Sequence, residues 1–244
     1  MNIKKGMLLA LVGISGSFSI HAHAKLEMID GGKGPKWRKR VFTYIRNSEH
    51  WFDGESFSGP GSSLASTSTI RSLLPAILKA VGSRTLLDAG CGDFNWMKEL
   101  IEEFDLDLYL GVDIVQEVIE ENQKRYANEH VAFMQLDIAE DPLLNVDVIM
   151  CRDVLAHLSY EDIHQVLRNF KKSGAKYLLA SSFSMIRDNN LEMVSGNFRS
   201  VNLRLEPFQF PEPLISVSEF SSEEKMVQYG KRICLWRIAD LPIK

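Results

Sequence analysis

From about residue 84 onward, short apolar runs alternate with segments in which apolar residues recur at helical spacing. The runs predict five buried strands, over residues 85–88, 108–112, 131–136, 146–151 and 175–183. Apolar residues three or four positions apart predict helices over residues 94–104, 115–126 and 160–172. Ser159 is of the type that caps the start of the last helix, and Gly174 of the type that ends it. This alternation is typical of a parallel sheet with helices on both faces.

The two flanks of this region have different patterns. Residues 214–220 and 232–238 alternate like half-buried strands and predict a terminal antiparallel pair. Residues 25–81 carry predicted helices at 36–47 and 70–81, joined by a loop rich in glycine and serine. We interpret them as a cap or lid on the sheet. The predicted fold is therefore an α/β three-layer sandwich over residues 82–244, with a mostly parallel seven-stranded sheet and an antiparallel C-terminal strand pair.

Residues 1–24 read as a separate unit. Lys4 and Lys5 precede an apolar run from Met7 to about Ile20, and Ala-His-Ala follows at residues 22–24. This is the layout of a secretory signal peptide with a small-x-small cleavage site. The run is shorter than the roughly 20 apolar residues that a membrane span needs. We therefore expect an exported or secreted protein without stable membrane insertion; an N-terminal extension or a wrongly chosen start codon is the alternative.

The composition is that of an ordinary globular protein, with 45% hydrophobic and 25% charged residues among 244. The 28 basic and 32 acidic residues give a net charge of -4, so no general attraction to nucleic acid is expected. The one dense basic cluster consists of Lys33, Lys36, Arg38, Lys39 and Arg40. We interpret this cluster as the solvated face of a helix, and a polyanion site is the less favoured alternative.

Cysteine and histidine spacing indicates neither a disulfide framework nor a metal site. The three cysteines are odd in number and form no close pair, so they are interpreted as small buried hydrophobes. The six histidines show no H-x-x-x-H or H-E-x-x-H spacing in the mature chain, so no metal is expected.

The strongest chemical signal is the glycine-containing stretch of residues 88–94, Asp-Ala-Gly-Cys-Gly-Asp-Phe, between a predicted strand and a predicted helix. Glycines there let the backbone approach a ligand closely, and a helix N-terminus offers free N–H donors. A structural tight turn explains a lone G-x-G about as well. However, Asp113 ends the next strand, 21 residues after Gly92. An acid at that place can accept hydrogen bonds from both hydroxyls of a ribose.

Four sequences that follow the first four predicted strands resemble motifs of the class I S-adenosylmethionine (SAM)-dependent methyltransferases. They are D-A-G-C-G-D, G-V-D, L-D-I and D-V-L-A-H-L. The resemblance covers roughly residues 84–183, and the flanks are similar to a bacterial subgroup of small methyltransferases. It implies a Rossmann-like fold, SAM as cofactor and methyl transfer to a small-molecule acceptor. Neither the acceptor nor the oligomeric state can be identified from the sequence.

The resemblance also implies a set of cofactor-binding residues. That set is Asp88, Gly90, Cys91, Gly92, Asp93, Asp113, Ile114, Asp137, Ile138 and Arg152. The glycine turn would line the methionine and ribose side of the cofactor, and Asp113 would hold the ribose. Asp137 with Ile138 would border the adenine, while residues 151–153 would lie beneath the sulfonium and the acceptor.

Methyl transfer from a sulfonium has a good leaving group, so most of the acceleration can come from alignment. If the acceptor is a hydroxyl, a base would help, and His157 is the first candidate because its ordinary pKa is about 6.5. His157 could equally be an orienting residue that packs near the cofactor. Asp153 is the second candidate, with a helix cap or a partner of Arg152 as its alternative role.

The acceptor side is the least constrained by the sequence. Its candidate residues are Trp51, Trp96, Arg199 and Asn202. Aromatic residues at such spacing belong more often to a core than to a site. The loop at residues 58–63 is interpreted as a clamp for the methionine carboxylate or as a flexible connection.

Two other functions are compatible with a Rossmann-like fold. One is a catalytically silent SAM-binding or secreted effector module. The other is a nicotinamide-dependent reductase, which the missing third glycine and the missing Tyr-x-x-x-Lys pair disfavour. Export also conflicts with a cofactor that is made in the cytosol, so a cytoplasmic location is the alternative to secretion.

Overall fold

The computed structural model describes residues 30–189, 191–219 and 229–243. The predicted signal peptide lies outside these residues, as does the last residue of the strand predicted over 214–220. The helices are α1 (Gly34–Asn47), α2 (Ser68–Ala80), α3 (Gln116–Tyr126) and α4 (Tyr160–Lys172). The strands are β1 (Thr85–Ala89), β2 (Leu108–Asp113), β3 (Val131–Gln135), β4 (Val148–Cys151), β5 (Tyr177–Phe183), β6 (Ile215–Ser218) and β7 (Lys231–Arg237).

Among the described residues, the seven strands form one sheet in the order β3-β2-β1-β4-β5-β7-β6. The pairs among β1 to β5 are parallel, and β7 is antiparallel to both β5 and β6. The predicted mostly parallel α/β sheet with an antiparallel C-terminal pair is therefore confirmed. No helix in the described part of the chain is both long enough and apolar enough to cross a membrane.

The central strands are buried on both faces, which explains their continuous apolar runs. Leu87, Ile149 and Leu178 pack on one face together with the apolar side of α4. Leu86, Val148 and Leu179 pack on the other face with α2 and α3. Because β1 to β5 run in parallel, the motifs that follow β1 to β4 all emerge at the same edge of the sheet.

Helix α4 begins and ends where the sequence predicts. The Ser159 hydroxyl accepts a hydrogen bond from the Asp162 amide at 3.1 Å, as an N-cap does. Gly174 follows the helix with a φ of +78°, a conformation that favours glycine and prevents the helix from continuing.

The helix predicted over residues 94–104 is wrong. Two short 3₁₀ turns, Met97–Glu99 and Ile101–Glu103, replace it. Phe94 has a φ of +59°, and a left-handed residue there prevents an α-helix from starting directly after the glycine turn. The apolar spacing reflects burial, since Trp96, Met97 and Leu100 all lie in the core. The N–H groups near the turn therefore belong to a loop and not to a helix N-terminus.

Candidate functional site

The turn after β1 requires glycine at two positions. Gly90 has a φ of +85° and Gly92 a φ of +56°. A Cβ on Gly90 would overlap Cγ2 of Val154, and a Cβ on Gly92 would overlap the hydroxyl of Ser58. The turn is thus packed closely from two sides, by the segment after β4 and by the loop after α1.

Asp113 brings its carboxylate from the end of β2 to this turn. Its Oδ2 accepts the Gly92 amide at 3.1 Å, and its Oδ1 accepts the Val115 amide at 3.0 Å. Burial raises the pKa of Asp113 above its ordinary value, and these amides oppose that rise. Each oxygen keeps a lone pair, so the carboxylate can still accept hydrogen bonds from two ligand hydroxyls.

A cavity opens at this edge of the sheet, with about 1030 Å³ of empty space that includes its mouth to solvent. The sequence-predicted residues that line it are Trp51, Gly90, Gly92, Asp93, Asp113, Ile114, Asp137, Ile138, Arg152, Asp153 and His157. Residues that are widely separated in the chain thus meet around one cavity.

Two predicted cofactor residues lie beneath the turn and do not line the cavity. Asp88 is buried and accepts a hydrogen bond from the Tyr109 hydroxyl at 2.7 Å. Burial raises the pKa of Asp88 to about 7, although Tyr109 and Arg152 act to lower it. Cys91 has its sulfur where a Cβ on Gly111 would meet it, so it packs against β2.

Three predicted acceptor residues are also placed away from the cavity wall. Trp96 is buried in the core, with the Arg152 guanidinium 5.5 Å from its ring. Arg199 is buried with its guanidinium 4.0 Å from the Tyr160 ring. Asn202 is buried, and its amide donates to the Ile186 carbonyl at 3.0 Å, which fixes the segment after β5.

The loop before α2 is tied to the glycine turn through Asp93. The Asp93 carboxylate accepts hydrogen bonds from the Ser56 hydroxyl (3.0 Å), the Phe57 amide (2.7 Å) and the Ser58 hydroxyl (3.2 Å). Ser58 and Ser62 line the cavity. The loop is therefore held in place beside the turn, whereas its serines and glycines alone are equally compatible with a flexible connection.

Sequence reasoning missed one wall of the cavity, which α1 supplies. Arg38, Phe42, Ile45 and Arg46 line it. Their spacing of four, seven and eight positions places them on one face of the helix. The amphipathic pattern of this helix was the available signal, but a pattern does not reveal what its buried face contacts.

Arg38 corrects the interpretation of the basic cluster as a solvated face. Lys36, Lys39 and Arg40 are exposed, but Arg38 is only 2% exposed. Its guanidinium donates to three carboxylates, those of Asp137 (3.0 Å from Nε), Glu140 (3.1 Å from Nη2) and Asp162 (from Nη1). Burial raises the pKa of Asp137, and Arg38 opposes that rise. These carboxylates, distant in sequence, explain why an arginine can be buried in α1.

Four charged side chains form a cluster at the other end of the cavity; Arg152, Glu219 and Lys231 are buried, and Asp153 is 26% exposed. Arg152 donates to Glu219 at 2.8 Å and contacts Asp153 at 3.3 Å. Lys231 donates to Asp153 and contacts Glu219 at 3.1 Å. Burial alone would raise the pKa of Asp153, but Lys231 and Arg152 outweigh it and hold the pKa far below its ordinary value. Such a carboxylate is a poor acceptor for a proton.

His157 lies beside this cluster and, unlike the Asp153 carboxylate, has a nitrogen that can accept a proton. Its Nδ1 is 2.9 Å from the Asn197 carbonyl, so Nδ1 carries the proton and Nε2 has the free lone pair. Burial lowers the pKa of His157, and the Asn197 carbonyl opposes that change. The ring of Trp51 lies 4.5 Å away, centroid to centroid. The geometry gives His157 the features of a neutral proton acceptor.

In the described part of the chain, no three His, Cys, Asp or Glu side chains are grouped so that they could hold a metal ion.

Comparisons with known proteins agree with this geometry. Residues 86–174 match the model of a methyltransferase domain family. A comparison with curated proteins gave no match. Among solved structures, the magnesium protoporphyrin IX methyltransferase of Synechocystis with bound SAM is 18% identical, with a TM-score of 0.57 over 82% of this chain and 96% of that chain.

Two N-methyltransferases are similarly related. Phosphoethanolamine N-methyltransferase 1 of Haemonchus contortus, in complex with phosphoethanolamine and S-adenosylhomocysteine, is 14% identical, with a TM-score of 0.57 over 86% of this chain and 50% of that chain. NodS of Bradyrhizobium japonicum is 16% identical, with a TM-score of 0.53 over 72% of this chain and 98% of that chain. At such identities the likeness concerns the fold.

Proposed function

We propose that this chain is a class I SAM-dependent methyltransferase that transfers a methyl group from SAM to a small-molecule acceptor; the match of residues 86–174 to a methyltransferase domain supports this. One observation carries the proposal: the glycine turn and the Asp113 carboxylate meet at one cavity, with the Gly92 amide 3.1 Å from Oδ2 of Asp113. The proposal requires these two features to hold an adenosyl group between them.

The cavity residues fit SAM by the chemistry of their side chains. Asp113 has acceptor capacity left for ribose hydroxyls. Ile114, Leu136 and Ile138 give an apolar surface for a purine, and Asp137 is an acceptor at the same wall. SAM would supply a methyl group on a sulfonium, which is a good leaving group.

The role of the protein is then mainly to bind and align. Asp113 and the glycine turn would fix the cofactor, while Trp51 and Val154 would limit access of water from the acceptor side. Holding two reactants in line can contribute about 7–11 kcal/mol to lowering a barrier. A small-molecule acceptor is consistent with a cavity that has walls on several sides.

Calorimetric titration with S-adenosylhomocysteine (SAH), the demethylated product of SAM, tests the proposal. We expect binding to the wild-type protein and a loss of about 10- to 100-fold in affinity for Asp113→Asn, because a charged hydrogen-bond acceptor is removed. Asp105→Asn is the control, since Asp105 is exposed and pairs with Arg84, away from the cavity. The absence of heat with both SAM and SAH would count against the proposal, as would unchanged affinity in Asp113→Asn.

A further inference from the structure

The arginines that line the cavity already have partners. Arg38 pairs with Asp137 and two other carboxylates, and Arg46 contacts Glu121 at 3.3 Å. Arg152 uses all three of its nitrogens, on Glu219, on Asp153 and on the Gly61 carbonyl at 2.9 Å. Among the described residues, an anionic acceptor would find no unpaired cation on this wall.

Among the residues that the structure describes near His157, a cationic acceptor would find no unpaired carboxylate either. The Asp153 carboxylate is engaged by Lys231, Arg152 and the Ser181 hydroxyl, which donates at 3.0 Å. Arg152 and Lys231 carry two positive charges, and Asp153 and Glu219 carry two negative charges, so the cluster is balanced. Burying a charge without a partner is costly. The charge pattern therefore favours an acceptor without a formal charge.

His157 is a polar group at this end of the cavity that can still accept a hydrogen bond. Its Nδ1 donates to the Asn197 carbonyl, and Nε2 has no hydrogen-bond partner among the described residues. A ring nitrogen in this state accepts a hydrogen bond, so it favours an acceptor with an O–H donor. An O–H group is also the kind of acceptor that must lose a proton when it is methylated.

Aromatic rings flank His157 on two sides. The Trp51 ring lies 4.5 Å and the Phe198 ring 5.4 Å from the imidazole, measured between centroids. Trp51 lines the cavity, whereas Phe198 is 45% exposed and lies outside its lining. Flat apolar surfaces of this kind pack well against another aromatic ring.

From the paired charges, the free Nε2 and the flanking rings, we infer that the acceptor is an uncharged aromatic hydroxyl compound and that His157 is its general base. The inference rests on the proposed methyl transfer. The O–H bond of the acceptor breaks as its oxygen bonds to the methyl carbon, and the C–S bond breaks with its electron pair left on sulfur. The proton passes to Nε2 of His157 and from there to solvent.

A phenol suits this base better than an aliphatic alcohol does, because a phenolic O–H has a pKa of about 10, far below that of an alcohol. The charged groups that act on His157 are Asp153, which raises its pKa, and Lys231 and Arg199, which lower it. Burial is the largest influence and also lowers its pKa. His157 is therefore neutral and able to accept a proton at pH 7, and it loses this ability as the pH falls below its ordinary range near 6.5.

Arg199 supports a competing hypothesis. Within the described part of the chain, its three guanidinium nitrogens are buried without a hydrogen-bond partner, an arrangement that suits an anion. However, it does not line the cavity, and it packs on the ring of Tyr160. The experiment must therefore include an anionic probe, which would bind most tightly if Arg199 served as an anion site.

A matched series of probes tests the inference: 2-naphthol, naphthalene, 2-naphthoate and 2-naphthylmethylamine, titrated by fluorescence into the SAH-saturated protein. We expect 2-naphthol to bind about three- to tenfold more tightly than naphthalene, from one added hydrogen bond. We expect the two charged probes to bind about tenfold or more weakly than 2-naphthol. The preference for 2-naphthol over naphthalene should vanish as the pH falls and His157 becomes protonated.

Two histidine variants complete the design. His157→Gln should abolish the pH dependence of that preference and lower methyl transfer to 2-naphthol from SAM by about 100-fold or more, as loss of a general base does. His164→Gln is the matched control, since His164 lies on α4, packs against Phe208 and does not line the cavity. It should behave as the wild-type protein.

The outcomes separate this inference from the proposed function. Tighter binding of 2-naphthoate or of the amine, equal binding of naphthol and naphthalene, or no binding of any probe overturns the inference, and the proposed function stands if SAH still binds. An unchanged pH profile in His157→Gln overturns the role of His157. Failure of SAH to bind removes the proposed function itself.

Discussion

Replacing Arg38 with methionine should destabilise the protein strongly, because it leaves buried carboxylates without their cation. Arg38 and Asp162 have side chains only 2% and 3% exposed, and Asp137 is 13% exposed. Methionine keeps most of the apolar length of the side chain but none of its donors. The perturbation therefore isolates the ionic contribution from the packing contribution.

The expected loss is about 3–5 kcal/mol, the usual cost of breaking a buried ion pair by removing one partner. Glu140 adds little to this figure because it is 42% exposed, and water screens pairs at the surface. Lys33→Met is the matched control on the same segment. Lys33 pairs with Glu161 at 3.1 Å, but both side chains are more than half exposed, so a loss of about 0–1 kcal/mol is expected.

Urea denaturation followed by tryptophan fluorescence measures both losses, and its pH dependence identifies their cause. Burial already raises the pKa of Asp137, and loss of Arg38 raises it further. The folded variant then binds more protons than the unfolded chain between the ordinary pKa of about 4 and the raised value. The deficit should thus shrink as the pH falls through this window. Arg38→Met combined with Asp137→Asn should recover part of the loss at pH 7.

A loss below about 1 kcal/mol in Arg38→Met, or a deficit that grows as the pH falls, would refute this reasoning. Either result would mean that the carboxylates around Arg38 find solvent or other partners when the guanidinium is removed.

Three further predictions concern other parts of the chain. Gly90→Ala should lower the free energy of unfolding, measured by urea denaturation, by about 1–3 kcal/mol and weaken SAH binding, because the added Cβ overlaps Val154. Gly82→Ala is the control: Gly82 has a similar φ but its Cβ would face open space, so a loss of only about 1 kcal/mol is expected. Lys231→Met should destabilise by about 3 kcal/mol at pH 7 and less in acid, where the Asp153 carboxylate that it pairs with becomes protonated; a loss that does not depend on pH would contradict this. We also propose that the signal peptide is removed, so N-terminal sequencing of the protein from its native cell should begin at Lys25; a start at Met1 would contradict export.

The sheet could be predicted from the sequence because strands buried on both faces leave an unmistakable apolar run. Leu86 and Leu87, on opposite faces of β1, are both fully buried. The segment after the glycine turn could not be predicted in the same way. Apolar spacing reports which side chains are buried, and buried 3₁₀ turns with Trp96, Met97 and Leu100 inside give the same spacing as an amphipathic helix.

Some residues of the candidate site could likewise be predicted from the sequence, and others could not. Residues at strand ends, such as Gly92 and Asp113, could be found because parallel strands bring their carboxyl ends to one edge. Side chains that depend on distant partners could not. Arg38 is 124 positions from Asp162, and Arg152 is 67 positions from its partner in the C-terminal region. No local pattern distinguishes such an arginine from a solvated one.

The two ionic clusters at the cavity differ in their balance of positive and negative charges. This difference indicates which end of the cavity holds the reacting groups. The cluster of Arg152 and Lys231 contains equal numbers of positive and negative charges, so it holds its wall rigidly without offering a free charge. The cluster of Arg38 has three carboxylates for one cation, and the Gln165 amide oxygen also accepts from Arg38 at 3.3 Å. Solvent screens part of the excess negative charge at Glu140, which is 42% exposed. Methyl displacement depends chiefly on alignment, which a balanced and rigid wall provides. The reacting end is therefore expected at the balanced cluster, and the end near Asp137 retains an excess of acceptors that suits a donor group of the bound molecule.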